Sequence, residues 1–258
     1  MIVSPWEYYS RIAKEYDSMY ETPKWRLYHR LIQSFLSEHL KVPCRVLDLG
    51  GGTGRWSLFL LERGFDVTLV DPSEEMLKIA EKKGVKKFLK ARAEDLPFSS
   101  HSFDTVLAMG DVLSYVENKV KAFSEIARVL KPGGLLIATV DNFYTFLQHM
   151  IEENTWEKIP RFLKTQTIEV GNTLFSFNSY AFRPEDIESI EGFDTIEVRG
   201  IGVFDYSEDQ VRKKEDLIFE LEKEFSRDRA ILWRAEHVFF VLKKKEEPCG
   251  SSGGCGRD

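Results

Sequence analysis

Apolar residues recur at helical spacing through the first forty positions. Ile12, Tyr16, Met19 and Tyr20 form one stripe and Leu27, Leu31, Ile32, Phe35 and Leu36 another, with Thr22-Pro23 between them, which predicts two helices joined by a turn. From Cys44 the period changes. Short unbroken apolar runs at 45–49, 66–70, 86–90, 103–108 and 135–140 read as strands, and 55–62, 73–81 and 119–130 read as the helices between them. Strands that are apolar on both sides belong to a sheet covered on both faces, and strand–helix alternation makes such a sheet mostly parallel.

The rhythm breaks between 142 and 182, where 143–152 reads as a helix and 166–180 alternates around Gly171-Asn172 like a hairpin. It then resumes with a short helix at 184–190, a strand at 194–200, a helix at 207–225 and a last strand at 237–243. The expected architecture is a Rossmann-like α/β fold, a seven-stranded mostly parallel sheet with helices on both faces. The N-terminal helices and the insertion would lie over it as a lid. We expect one domain over 1–246, made of a helical cap (1–40), a core (44–140), an insertion (142–182) and a final part of the sheet (183–246). Residues 247–258, Gly-rich and polar, read as a flexible tail.

Composition narrows the partners. A net charge of −6 and a pI near 5.6 disfavour a nucleic-acid backbone, which needs clustered positive surface. No apolar run approaches the length of a membrane span, and the N-terminus carries no export signal. A cytoplasmic protein acting on a small molecule is expected, with the oligomeric state left open. Abundant Lys and Glu beside few Gln and Asn resemble the composition of proteins from hot environments. Cys44, Cys249 and Cys255 are too few for a disulfide framework, and without a neighbouring histidine the last two make no metal site.

The chemistry concentrates in Val46-Leu47-Asp48-Leu49-Gly50-Gly51-Gly52-Thr53-Gly54, a Gly-rich turn between a strand and a helix. Such a turn lets backbone N–H groups approach a ligand closely. Asp71 follows the second strand, where a carboxylate accepts hydrogen bonds from ribose hydroxyls. A nucleoside ligand follows, shared by dinucleotide enzymes and other classes. The dinucleotide fingerprint, started at Gly50, requires a small residue at 55, and the chain has Arg55.

These stretches, together with Val70-Asp71-Pro72-Ser73-Glu74-Glu75-Met76-Leu77, Ala93-Glu94-Asp95-Leu96-Pro97-Phe98 and Val129-Leu130-Lys131-Pro132-Gly133-Gly134-Leu135, resemble the class I S-adenosylmethionine-dependent methyltransferases. The similarity is greatest to the branch of ubiquinone and menaquinone biosynthesis enzymes. The resemblance implies S-adenosyl-L-methionine as cofactor and S-adenosyl-L-homocysteine as product. It places Asp48, Gly50, Gly51, Gly52 and Gly54 at the methionine part, Asp71 at the ribose, and Pro72, Arg92, Ala93 and Glu94 near the adenine. Met109 and Gly110 would line the sulfonium, and Tyr16 would lie over the cofactor. Arg92 departs from the Asp or Asn frequent there and has no acceptor for an adenine amino group, leaving Glu94 or the backbone of Ala93.

Methyl transfer asks mainly for alignment and desolvation. A base is needed only for an acceptor that loses a proton, and Asp111, Asp141 and Tyr144 are candidates on loops after strands. His237 is assigned to the packing of the last strand. Aromatic residues of the N-terminal helices and the insertion form either ordinary packing or an apolar roof over a flat acceptor. The expected activity is methylation of a small aromatic or apolar acceptor such as a quinone precursor. The alternative is a cofactor-binding protein with a regulatory or partner role and no transferase activity.

Overall fold

The computed structural model describes residues 1–246, so the expected tail, with Cys249 and Cys255, lies outside the described residues. Two helices open the chain, α1 (Pro5–Met19) and α2 (Pro23–His39). Each starts at a side-chain cap followed by proline: Ser4 accepts from the Glu7 amide and Thr22 from the Trp25 amide, satisfying amides that a first helical turn leaves free. Then follow β1 (Arg45–Leu49), α3 (Arg55–Leu61), β2 (Asp66–Val70), α4 (Glu74–Lys83), β3 (Phe88–Leu89), β4 (Phe103–Ala108), α5 (Val112–Tyr115), α6 (Lys119–Val129) and β5 (Leu130–Asp141). The insertion holds α7 (Phe143–Glu152), α8 (Ile159–Thr165) and the hairpin β6 (Thr167–Gly171) and β7 (Ser176–Tyr180). The chain closes with α9 (Pro184–Glu188), β8 (Phe193–Ile201), α10 (Glu208–Phe225), α11 (Arg229–Leu232) and β9 (His237–Lys244).

Seven strands form one sheet in the order β3-β2-β1-β4-β5-β9-β8. The five on the β3 side pair parallel, and β9 runs antiparallel to both neighbours. The fold is therefore the expected Rossmann-like α/β sheet. The third strand is shorter than 86–90 because only Phe88 and Leu89 find partners, on Leu69 and Val70, at the sheet edge. The fifth starts earlier than 135, with its register on β4 shifting between Phe103 and Thr105. Helices α5, α8 and α11 were too short to leave a periodic signal.

Along β9, Val238, Phe240 and Leu242 pack with Val106, Ile126, Val129 and Leu136 on one face. Phe239 and Val241 pack with Leu31, Phe35, Val46 and Phe219 on the other. This is the two-residue alternation of a strand buried on both sides. At the open edge the fully buried Arg199 of β8 donates to Glu38 of α2 (3.1 Å) and lies 2.8 Å from Glu197. His39 and Arg227 complete the network on Glu197.

Burial alone would raise the Glu197 carboxyl, but hydrogen bonds from His39, Arg199 and Arg227 hold it at about 2. A depressed carboxylate contributes stability that is complete above its unfolded value near 4.5 and is lost as pH falls toward 2. Arg199→Ala strips a partner from a buried ion network and should cost about 3–5 kcal/mol. Thermal melts should show a large drop for this variant at pH 7 and a weaker loss of stability than the parent between pH 4.5 and 2.

Candidate active site

The loop after β1 is built by backbone. Gly50, Gly52 and Gly54 have φ of +67°, +53° and +84°, values that side chains beyond glycine rarely adopt. A Cβ at Gly50 would stand 2.5 Å from Val112, and one at Gly54 2.9 Å from Val85, so these two are packed against the protein. At Gly52 a Cβ meets nothing nearer than 4.0 Å and points into open space. The loop is fastened by the Gly50 amide donating to the Val70 carbonyl (2.7 Å) and the Gly52 amide donating to Asp71 Oδ2 (3.0 Å). Asp71 Oδ1 accepts from the Ser73 amide at 2.8 Å. Burial raises Asp71 to about 6 against the pull of these two amides, and each oxygen keeps a lone pair for a further donor.

Gly50, Gly52 and Asp71 line a cleft with Pro72, Met76, Ala93 and Met109, roofed by Trp6, Tyr9 and Tyr16 of α1. Arg92 closes one end: its guanidinium stacks 4.3 Å from the Trp6 ring and pairs with Glu117 at 2.7 Å. Glu94 Oε1 accepts from the amides of Glu117 (2.9 Å) and Asn118 (3.3 Å), fixing the loop that forms that wall.

A second cavity adjoins the first, sharing Tyr16, Gly50, Met109, Gly110 and Tyr115. Tyr20, Trp25, Tyr28, His29 and Trp56 make it strongly aromatic. Burial, then the Asp111 charge, pushes Tyr20 up to about 12, and burial, then the Tyr20 phenol, pushes Tyr16 higher still. Burial and the Arg55 cation push His29 down to about 4, so it is neutral. At the floor, Asp111 and His237 meet with Oδ2 and Nδ1 3.0 Å apart. The contact is an ion pair off the line of a hydrogen bond, and Asp111 Oδ1 has no partner. Asp141 sits directly across the strand pair from His237. Burial would lower His237, but Asp111 and then Asp141 raise it to about 9. Burial and the Asp111 charge raise Asp141 to about 7.

The residues named from sequence separate into groups. Tyr16, Gly50, Gly52, Asp71, Pro72, Arg92, Ala93, Glu94, Met109 and Gly110 line the first cleft, and Gly51 and Asp111 line the second. Asp48 lies beneath the loop, its Oδ2 accepting from the Ser57 hydroxyl at 2.6 Å. Gly54 packs on Ala80 and Val85. Asp141 accepts from the Ser179 hydroxyl (2.5 Å) and borders a separate cavity under α1 and β7. Tyr144 lies outside these cavities, edge-on to Trp233 at 5.9 Å. His237, assigned from sequence to strand packing, faces the second cavity. The available signal was topological, since an antiparallel last strand begins at the edge where the parallel strands end.

A family model described as a methyltransferase domain matches residues 47–138. An uncharacterized protein of Methanocaldococcus jannaschii is 32% identical over 208 residues, covering 76% of this chain and 79% of its own. The ubiquinone/menaquinone biosynthesis C-methyltransferase of Shewanella pealeana is 36% identical over 140 residues, 49% of this chain and 54% of that one. Among solved structures, an S-adenosylmethionine-dependent methyltransferase of Thermotoga maritima, titled a possible histamine N-methyltransferase, superposes with a TM-score of 0.59 at 25% identity. That superposition covers 93% of this chain and 99% of the other. The chain belongs to the class I S-adenosylmethionine-dependent methyltransferases and is an enzyme of that class. Its cofactor is S-adenosyl-L-methionine, and no helix among the described residues is long and apolar enough to cross a membrane.

Asp48 supplies a test of the loop's foundation. Burial raises its carboxyl to about 6 from 3.8, and Oδ1 is left without a partner. A raised carboxylate is a penalty to the folded state that is full above pH 6 and fades as pH falls through 6 toward 3.8. Asp48→Asn should therefore raise stability by about 1–3 kcal/mol at pH 7 and by little below pH 4. Denaturant titrations at the two pH values measure the difference.

Proposed function

We propose that the chain transfers a methyl group from S-adenosylmethionine to a small, flat, aromatic or apolar acceptor seated in the second cavity. The observation that carries this reading is the meeting of the two cavities at Tyr16, Gly50, Met109, Gly110 and Tyr115. One side offers nucleoside chemistry and the other an aromatic enclosure, and the shared wall combines two glycines with Tyr16, Met109 and Tyr115. The residues present fit the cofactor: Asp71 would hold the ribose, and the open face of Gly52 leaves room for a ligand along the loop. Gly50 and Gly110 would border the methionine end, while Pro72, Ala93 and Glu94 would flank the adenine, closed in by Arg92 on Trp6.

The bound cofactor supplies an electrophilic methyl group. The chain's own contribution is to align the acceptor and exclude water, since Tyr9, Tyr16 and Tyr115 are deeply buried phenols that keep their protons. A quinone precursor suits such a cavity, and the Shewanella relative is named for ubiquinone/menaquinone biosynthesis. The Thermotoga neighbour's title makes an amine the natural comparison. Label transfer from S-adenosylmethionine to a panel of quinols, phenols and amines tests the activity. Transfer to a quinol or phenol is the expected outcome, and preference for an amine would reassign the acceptor.

Two substitutions test the cofactor placement by calorimetry. Asp71→Ala should weaken S-adenosylhomocysteine binding by about 1.5–3 kcal/mol, the cost of deleting a charge-assisted acceptor. A dissociation constant within about twofold of the parent would remove the ribose assignment. Gly52→Val should abolish binding, because its side chain projects into the cleft and a branched residue holds the loop's φ of +53° only under strain, with circular dichroism checking that the variant folds. Undiminished affinity in the folded variant would mean that the loop serves another purpose.

A further inference from the structure

Asp111 and His237 at the floor of the second cavity, with Asp141 of the neighbouring cavity close to both, form a proton site that methyl transfer by alignment alone does not use. Asp111 follows β4, Asp141 ends β5 and His237 begins β9. Their ligand atoms all lie within 4.8 Å of one another. The three are placed by main-chain structure: the amides of Gly110 and Asp111 both donate to Thr139 Oγ1, at 2.9 and 3.2 Å, and Asp141 pairs with His237 across the strands. Asp111 is 6% exposed and its Oδ1 has no partner. The imidazole turns Nδ1 toward Asp111, and its ring lines the cavity between Trp25 (5.8 Å) and Tyr28 (6.3 Å).

We propose that His237, backed by Asp111 and Asp141, is the group that takes the acceptor's proton, and that the sulfonium of the bound cofactor switches it into its basic form. The proposal rests on the placement of the methionine end beside Gly110, one residue from Asp111. In the absence of a ligand, the paired carboxylates hold His237 protonated at neutral pH, so it is not a base. A fixed positive charge brought beside the same carboxylates competes with that proton and releases it. Neutral imidazole then receives the proton of an O–H or N–H acceptor as that atom's lone pair bonds to the methyl carbon. The C–S electron pair stays on sulfur, and the positive charge passes from sulfonium to imidazolium. The acceptor class is thus one with a proton to lose.

The other groups facing the imidazole do not substitute for it. Tyr20 and Tyr28 are phenols raised by burial and hold their protons. His29, held down to about 4, is too weak a base. Arg55 on the far wall is a cation, and Glu236 behind β9 is paired with Lys24.

S-adenosylmethionine and S-adenosylhomocysteine differ by one methyl group and its charge, so they separate the charge effect from occupancy. Calorimetry at pH 8 in two buffers of different ionisation enthalpy reads the protons released by each. S-adenosylmethionine should release about half a proton or more beyond S-adenosylhomocysteine. The excess should vanish in both His237→Gln and Asp111→Asn, each checked for fold by circular dichroism and for binding of S-adenosylhomocysteine. Equal release by the two ligands, or an excess that survives both substitutions, overturns the proposal. Failure of the unaltered protein to bind either ligand overturns the cofactor placement itself and this inference with it.

Discussion

One carboxylate ties the ligand-facing edge of the sheet together. Asp71 accepts the Gly52 amide on one oxygen and the Ser73 amide on the other, joining the loop after β1 to the start of α4. The Ser73 hydroxyl caps α4 through the Met76 amide and meets the Ser10 hydroxyl of α1 at 2.7 Å. A line of hydrogen bonds therefore runs from the glycine loop through a buried acid to the helix that roofs the cleft. Burying that acid is costly unless its oxygens are bonded. The loop must hold the positive φ that presents Gly52's amide, and glycine is the residue that does so without strain.

The division of labour across the sheet follows from its topology. Loops after β1 and β2 form the half suited to a nucleoside, while the loop after β4, with Thr139 of β5 and His237 at the start of antiparallel β9, forms the floor of the second cavity. Ligand sites in open parallel sheets lie beyond the carboxyl ends of the strands, and β9 delivers a residue there by running the other way. The roof of the cleft is α1, and the hairpin of β6 and β7 packs against α1 without lining either of the two cavities. Phe177 on β7 packs against Tyr8, Tyr9 and Tyr115, with ring centroids 5.0 to 5.6 Å apart. The amide of Val3 donates to the Ser176 carbonyl at 2.8 Å, and the Ser176 amide donates to the Met1 carbonyl at 3.0 Å. The first residues thus add an edge to the hairpin.

Much of this was legible in the chain because it is local. Unbroken apolar runs marked the strands, and glycines between β1 and α3 marked a ligand-binding turn. Alternation around Gly171-Asn172 marked the hairpin. What sequence left unread depends on distant partners. Tyr144 and Asp111 each follow a strand closely, yet Tyr144 turns toward Trp233 and Asp111 toward His237, a choice made by tertiary packing. Asp48 sits within the motif but points beneath it, toward Ser57. His237 carried no local mark, because the two acids that give it a role lie more than ninety residues away in sequence and meet it only when β9 inserts beside β5.

The most direct measurement of the account is a crystal structure of the protein with S-adenosylhomocysteine bound. The ribose is expected on Asp71, the adenine between Pro72 and Ala93 beneath the Arg92–Trp6 stack, and the sulfur beside Gly50 and Gly110, facing the cavity that holds His237. A ligand whose sulfur pointed away from that cavity, or whose ribose made no contact with Asp71, would contradict it.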